Sequence, residues 1–299
     1  MSVLRRLLRI SVVTYTMVVI VLGFVQRQLL YHPLKATNLA VAQFPDIMQS
    51  FPAATDVSIR CTDGVTIRGW LLRKTLAADD APVPPRPLIL FLHGNGGNRA
   101  GRVTWYQMIA EADADVLAID YHGYGDSEGS ISQETLERGC DASMKFITED
   151  LGYHPGDVMV MGTSLGGAAA VYTAANQCRT GPSPGALLTV ATFSSMVDVA
   201  SSIYWWVPVR MVLLDRYPSD QQITAVDCPV VSLHGEDDAL VHMKFGRRLF
   251  DATADKAADG TPKVWVSMPG VTHNNLTTDG RPFIQDQLNR LTHRWRQQQ

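Results

Sequence analysis

Short apolar segments alternate with helical segments from about residue 55 to residue 295, and this alternation constrains the fold most. Leu88–Leu92 is a continuous apolar run, which is typical of a parallel strand buried on both faces. Strand–helix alternation implies crossover connections, and therefore a mostly parallel central sheet with helices on both faces. The predicted strands are 57–60, 65–73, 88–92, 116–119, 158–161, 186–190, 230–233 and 264–268. The predicted helices are 102–112, 132–149, 165–175, 243–252 and 282–295.

Three departures from this rhythm are expected. Asp63-Gly64 predicts a hairpin between the first two strands, and the proline-rich stretch 77–87 predicts a surface loop. Residues 193–223 carry Tyr204-Trp205-Trp206 and an apolar run, and they predict a small aromatic cap insertion over the carboxyl edge of the sheet. An ordinary packing helix is the alternative for this segment.

The chain begins with a basic segment and an apolar one. Arg5, Arg6 and Arg9 precede the uncharged residues 10–26, and Arg27 follows. These 17 residues are at the short end of what spans a bilayer as a helix. We favour an uncleaved transmembrane signal anchor over a cleaved signal peptide, because the nearest small-x-small site, at residues 40–42, lies far beyond the apolar run.

The flanking charges predict the topology of this anchor. More basic residues precede the apolar run than follow it closely, which places the N-terminus in the cytoplasm and the remaining chain outside it. Secretion after signal cleavage is the alternative location. We divide the chain into a basic flank (1–9), the anchor (10–26), a linker (27–54) and an α/β domain (55–299) that contains the insertion.

Composition excludes some classes of protein. The 299 residues include 26 basic and 29 acidic ones, a net charge of −3, so a basic surface for nucleic acid is not expected. The four cysteines, which are Cys61, Cys140, Cys178 and Cys228, have no metal-binding or redox spacing. Buried thiols are the first interpretation, and one or two disulfides remain open in an oxidising compartment.

The sharpest chemical signal is Gly162-Thr163-Ser164-Leu165-Gly166, which follows a predicted strand and opens a predicted helix. In such a nucleophile elbow the chain turns so tightly that small residues are needed two positions before and after the serine. The serine hydroxyl then projects at the carboxyl edge of the sheet. A serine activated by a base attacks carbonyl carbon, so this motif indicates acyl transfer.

An activated serine requires a histidine and an acid. His273 follows the last predicted strand, from which it can reach back over the sheet edge. Glu236, Asp237 and Asp238 follow the preceding strand, and an acid at this place, such as Asp238, gives the order serine, acid, histidine along the chain.

The transition state also requires two preorganised N–H donors for the oxyanion. Leu165 directly follows the serine at a helix start, and Asn95 lies in the glycine-rich turn after strand 88–92. We expect these two backbone N–H groups to form the oxyanion hole.

Several segments together resemble the α/β-hydrolase superfamily over about residues 57–295. More narrowly, the chain looks like the membrane-anchored α/β-hydrolase-domain proteins of the serine aminopeptidase-like group. The matching segments are HGNGGN (93–98), DYHGYG (120–125), SEG (127–129), GTSLGG (162–167), HGEDD (234–238) and QLLYHP (28–33). The resemblance assigns the acid to Asp238, the fifth residue of HGEDD. His122 and His242 depart from the arginine and proline that are frequent in the family, and neither belongs to the inferred triad.

The resemblance implies an α/β-hydrolase fold and a serine hydrolase of esterase, lipase or acyl-thioesterase type. We therefore expect a membrane-tethered enzyme that cleaves a small-molecule or lipid-like carboxylic ester or thioester through an acyl-enzyme on Ser164. Neither a metal nor an organic cofactor is expected. A peptidase or amidase of the same fold, or a catalytically silent binding module, are the alternatives.

Overall fold

The computed structural model describes residues 3–75 and 86–299, and its centre is an eight-stranded sheet. The predicted loop at 77–87 lies outside the described residues except for its last two positions. The strands, numbered along the chain, are β1 Thr55–Arg60, β2 Thr66–Leu72, β3 Leu88–Leu92, β4 Asp115–Ile119, β5 Val158–Thr163, β6 Ala186–Val190, β7 Val230–Gly235 and β8 Val264–Met268. Each predicted strand is therefore present.

The order across the sheet is β8-β7-β6-β5-β3-β4-β2-β1. Strands β3 to β8 are mutually parallel where they pair, and β1 and β2 form an antiparallel hairpin at one edge. Every residue of β3, β4, β5 and β6 is buried, which explains why these strands are composed mostly of apolar residues. The predicted mostly parallel sheet is confirmed.

Helices cover both faces of this sheet. The longer helices of the domain are α3 Val103–Glu111, α4 Gln133–Lys145, α5 Leu165–Thr180, α9 Met243–Ala252 and α10 Arg281–Gln298. Helices α4, α5 and α9 contribute to the apolar cluster on one face, and α3 and α10 contribute to that on the other. The prediction of one helix over 132–149 differs in detail, because α4 gives way to a π-helical turn over Phe146–Asp150.

The chain begins with the long helix α1, Val3–Leu30, which extends beyond the predicted apolar span 10–26 at both ends. Its length suffices for a membrane-crossing helix, its most apolar 18-residue stretch has a mean hydropathy of 2.1, and none of its residues is buried. Its C-terminal end is fixed to the domain. Arg27 pairs with the buried Asp215 at 2.9 Å, and the hydroxyls of Tyr31 and Tyr217 are 2.7 Å apart.

The segment expected to be a linker, 27–54, is instead packed against the domain. His32–Pro33 pairs with Gly96–Gly97, and the short helix α2, Pro45–Ser50, follows. Ile47 and Phe51 are completely buried in the cluster that also contains α3 and α10. Burial of these side chains stabilises the segment on the domain, so it belongs to the folded body.

The insertion at 193–223 forms three short helices, α6 Met196–Ile203, α7 Val209–Val212 and α8 Ser219–Gln222. We call residues 193–223 the cap. Its outer part leaves large apolar side chains in solvent, including Trp205 and Met211, whose exposed fractions are 82% and 85%. Exposure of this extent is unusual for a surface that contacts only water.

Candidate active site

The first element of the site is the sharp turn between β5 and α5. Ser164 lies alone between the strand and the helix, with φ of 53° and ψ of −119°. A non-glycine residue with positive φ is strained and is held by its surroundings. A side chain at Gly162 would place its Cβ 1.9 Å from the carbonyl oxygen of Gly166, and one at Gly166 would place it 2.0 Å from that of Leu92. The two glycines therefore allow the close approach on which the turn depends.

The three side chains predicted for catalysis meet at the carboxyl edge of the sheet. Ser164 Oγ lies 3.1 Å from His273 Nε2, and His273 Nδ1 lies 2.7 Å from Asp238 Oδ2. An ionised carboxylate only accepts, so Nδ1 carries the proton of the neutral imidazole. Nε2 is then the acceptor for the hydroxyl proton of Ser164.

Asp238 differs from the two carboxylates before it because it is buried, whereas Glu236 and Asp237 are exposed. Its Oδ1 accepts hydrogen bonds from the backbone N–H groups of Leu240 and Val241, at 3.0 and 2.8 Å. Both carboxylate oxygens are thus fixed, and one of them is directed at His273.

The surroundings of Asp238 favour its charged form. Burial by itself raises the pKa of this carboxyl, but contacts with His234 and His273 and the Val241 N–H outweigh burial and hold the pKa well below its usual range. His234 Nε2 lies 3.5 Å from Asp238 Oδ2 and 2.7 Å from the carbonyl oxygen of Val241, which is the nearer acceptor. His234 belongs to the HGEDD segment, but the sequence pattern predicted no role for it.

The predicted oxyanion donors lie beside the serine. Asn95 and Leu165 line the same cavity as Ser164, and within residues 3–75 and 86–299 neither backbone N–H has a hydrogen-bond partner. The side-chain amide of Asn95 donates to the carbonyl oxygen of Leu30 at 2.9 Å, and the backbone carbonyl of Asn95 accepts from His32 N–H and from Tyr124 Oη. The turn that carries Asn95 is therefore held by the end of α1.

A buried ionic network stabilises the turn that carries Asn95. Arg99 Nη1 lies 2.5 Å from Asp120 Oδ2 and 2.6 Å from Asp126 Oδ1, and the Arg99 guanidinium and Asp120 are almost completely buried. The network joins the segment after β3 to the DYHGYG segment after β4. Asp120 therefore has a structural role in this network, which the sequence pattern did not predict.

Two cavities meet at Ser164. One is lined mostly by apolar side chains of α1 and the cap, and the other has a more polar lining that includes Arg102, Thr104, His273 and Asn274. An ester whose carbonyl carbon lies at Ser164 could therefore place an apolar group on one side and a polar group on the other.

The groups that could hold a metal ion lie elsewhere. Cys61, Asp63 and His122 offer ligand atoms within 4.8 Å of one another, and none of these residues lines either cavity at Ser164. All four cysteines are free thiols in the structure.

An eight-stranded, mostly parallel sheet with helices on both faces and a nucleophile elbow at its carboxyl edge defines the α/β-hydrolase class. Residues 89–299 match the family profile described as the alpha/beta hydrolase family. The chain belongs to this family, as its sequence segments predict.

Relatives and solved structures agree with this assignment. The uncharacterized protein Rv2307c of Mycobacterium tuberculosis is 31% identical over 260 residues, which cover 87% of this chain and 84% of that protein. Lysophosphatidylserine lipase ABHD12 of Danio rerio is 32% identical over 193 residues, 60% of this chain but only 50% of that protein. The esterase Pf2001 of Pyrococcus furiosus shares the fold, with a TM-score of 0.64, 14% identity, and coverage of 89% of this chain and 98% of the esterase.

Proposed function

We propose that the protein is a membrane-anchored serine hydrolase that cleaves a carboxylic ester or thioester of a lipid-like acyl group. The observation that carries this proposal is the continuous contact from Ser164 Oγ through His273 to the buried Asp238, at 3.1 and 2.7 Å, beside a mostly apolar cavity. A nucleophile, a base and an orienting acid in contact are the requirements for acyl transfer to serine.

Each group has one task in this mechanism. His273 Nε2 takes the hydroxyl proton as Ser164 Oγ bonds to the carbonyl carbon, and the backbone N–H groups of Asn95 and Leu165 donate to the oxyanion. The carbonyl re-forms, the bond to the alcohol or thiol breaks, and His273 gives the leaving group its proton. Water then loses a proton to His273 as it attacks the acyl carbon; the bond to Ser164 Oγ breaks, the acid leaves, and His273 returns the proton to Ser164 Oγ.

Asp238 acts through the imidazole. It keeps the Nδ1 tautomer and stabilises the imidazolium that forms when His273 takes the proton. A carboxylate with a lowered pKa remains charged throughout the neutral range and can meet this requirement.

The cavity linings and the relatives support the lipid-like acyl substrate. Apolar side chains from α1 and the cap lie on one side of Ser164, and they suit an acyl chain better than a peptide. The ABHD12 proteins among the relatives carry the name lysophosphatidylserine lipase, and the present chain spans about half of their length. The hydropathy of α1 supports the anchor, and Arg5, Arg6 and Arg9 support a cytoplasmic N-terminus with the domain on the other side.

A fluorophosphonate probe, which modifies only an activated serine, tests this function on the full chain in detergent. We expect labelling of the wild type, none of Ser164→Ala, and wild-type labelling of Ser202→Ala, a change at an exposed serine that lines neither cavity. A folded wild type that fails to react would favour a binding module. Faster turnover of aminoacyl amides than of p-nitrophenyl esters would favour a peptidase.

A further inference from the structure

The anchor helix α1 forms part of the wall of the apolar cavity that leads to Ser164. Leu22, Gln26, Leu29 and Leu30 of α1 line this cavity together with side chains of the cap and with Ser164 itself. From the cap the opposite wall includes Met196, Val199, Ile203, Val209 and Val212. A helix that served only as a tether would have no reason to contribute to the site.

Specific hydrogen bonds hold the two walls together. Gln26 Nε2 donates to the carbonyl oxygen of Val212 at 3.2 Å, and Gln26 Oε1 accepts from the N–H of Leu214 at 2.7 Å. Further toward the N-terminus, Tyr15 Oη donates to the carbonyl oxygen of Trp206 at 2.9 Å. Hydrogen bonds therefore connect α1 to the cap at two positions along the helix, one of them at a residue that lines the cavity.

These contacts show how far the cap extends along α1. Tyr15 precedes Arg27 by 12 residues, which is about 18 Å at 1.5 Å per residue. Tyr15 is also inside the uncharged run 10–26, so the cap reaches the part of α1 that the hydrocarbon region of a bilayer would surround.

The outer surface of the cap suits such an environment. Ile203, Trp205, Met211 and Leu214 are all more than half exposed, and they belong to the part of the cap that contacts α1. Arg210 reaches back to Asp198 at 3.6 Å, as expected for a long basic side chain that avoids hydrocarbon. The exposed apolar surface is thus continuous with the apolar surface of the helix.

We propose that α1 and the cap together form an acyl-chain site that is loaded sideways from the bilayer. Its occupant is the long acyl chain of a membrane-resident ester or thioester, with the carbonyl carbon at Ser164 and the chain between Leu22 and the cap. This inference rests on the proposed serine hydrolase function. It adds that the anchor is a determinant of acyl-chain length as well as a tether.

Two neighbouring residues of α1 provide a matched test. Leu22 lines the cavity and is half-buried, whereas Val21 is half exposed and lies outside the lining. For Leu22→Trp we expect kcat/KM for a palmitoyl ester, relative to that for an acetyl ester, to fall at least about tenfold, because the indole fills the chain site. Val21→Trp introduces the same side chain outside the cavity, so the ratio of the two kcat/KM values should stay within about twofold of the wild type.

The outcomes separate this inference from the proposed function. Acetyl ester hydrolysis and fluorophosphonate labelling report Ser164, and the chain-length ratio reports the wall. An unchanged ratio in Leu22→Trp with normal acetyl turnover overturns the inference alone, whereas an unlabelled wild type overturns the proposed function. If Leu22→Trp fails to fold, Leu29→Trp, which also alters the lining, takes its place with the same expected fall in the ratio.

A separate experiment in proteoliposomes tests whether the substrate enters from the bilayer. A long-chain ester that does not exchange between vesicles should be hydrolysed when it shares a membrane with the enzyme and not when it is supplied in separate vesicles. Equal rates in the two arrangements would contradict access from the membrane.

Discussion

Replacement of Asp238 by asparagine tests the proposed mechanism most directly, because the structure fixes how the new amide must be oriented. Asp238 Oδ1 accepts two backbone N–H groups, from Leu240 and Val241. An amide oxygen can keep these bonds, whereas an amide nitrogen there would face two donors. Asparagine therefore keeps its oxygen at this position and directs its NH₂ group toward His273 Nδ1.

That orientation reverses the tautomer of the imidazole. With an NH₂ donor 2.7 Å away, Nδ1 must accept, so the proton of neutral His273 moves to Nε2. Nε2 faces Ser164 Oγ at 3.1 Å and could no longer take the hydroxyl proton. The equivalent change in serine proteases lowers kcat by about 10⁴-fold, which corresponds to about 5.5 kcal/mol of transition-state stabilisation.

We expect a loss of about the same size here, measured as kcat for a p-nitrophenyl ester with the purified full chain. Asp237→Asn is the matched control, because it makes the same chemical change at the adjacent exposed carboxylate. It should keep kcat within about twofold. If folded Asp238→Asn retains kcat within tenfold of the wild type, the tautomer argument and the role of Asp238 are both wrong.

Three further predictions address the pH dependence, the elbow and the membrane contact. The lowered pKa of Asp238 contributes stability that is present above the unfolded pKa of about 3.9 and lost as the pH falls through the folded pKa. The unfolding free energy of the wild type minus that of Asp238→Asn should therefore decrease as the pH is lowered below about 4; an increase would contradict the direction of the shift. Gly166→Ala should cost roughly 4 kcal/mol or more in denaturant unfolding, because its Cβ meets only backbone within 2.5 Å, whereas Gly101→Ala, with open space, should cost less than about 1 kcal/mol. In vesicles with brominated acyl chains, Trp205→Phe should show less tryptophan quenching than the wild type, and equal quenching would argue against insertion of the cap.

Local sequence patterns were sufficient to predict the strands that are buried on both faces and the elbow. The strand Leu88–Leu92 is buried on both faces, so each of its positions had to be apolar. The elbow could be predicted because the strand, the serine and the helix are contiguous in sequence. His273 followed from a strand end, since the carboxyl ends of parallel strands meet at one edge, whereas the preceding strand end offered three carboxylates, among which the family resemblance selected Asp238.

The segment expected to be a linker, 27–54, shows that local sequence patterns cannot predict burial that depends on distant parts of the chain. Ile47 and Phe51 lie in a segment with no regular period, and their burial depends on side chains from α3 and α10 that are far away in sequence. Apolar residues in a short irregular segment are equally compatible with a loop, so nothing local distinguished a packed segment from a free one.

Helix α1 contains a polar residue, Gln26, whose role cannot be predicted from composition. Gln26 is a polar residue at the end of an uncharged apolar run, and a side-chain amide that enters an apolar medium without partners is costly. Its cost is offset because both ends of the amide bond to the cap, at Val212 and Leu214. An unrelated apolar helix in place of α1 would preserve membrane attachment yet lose these bonds, together with the wall that Leu22 and Leu29 give to the cavity. In the proposed site, attachment and acyl-chain binding are properties of the same helix, and a change that separates them, such as Leu22→Trp, measures how much each contributes to turnover.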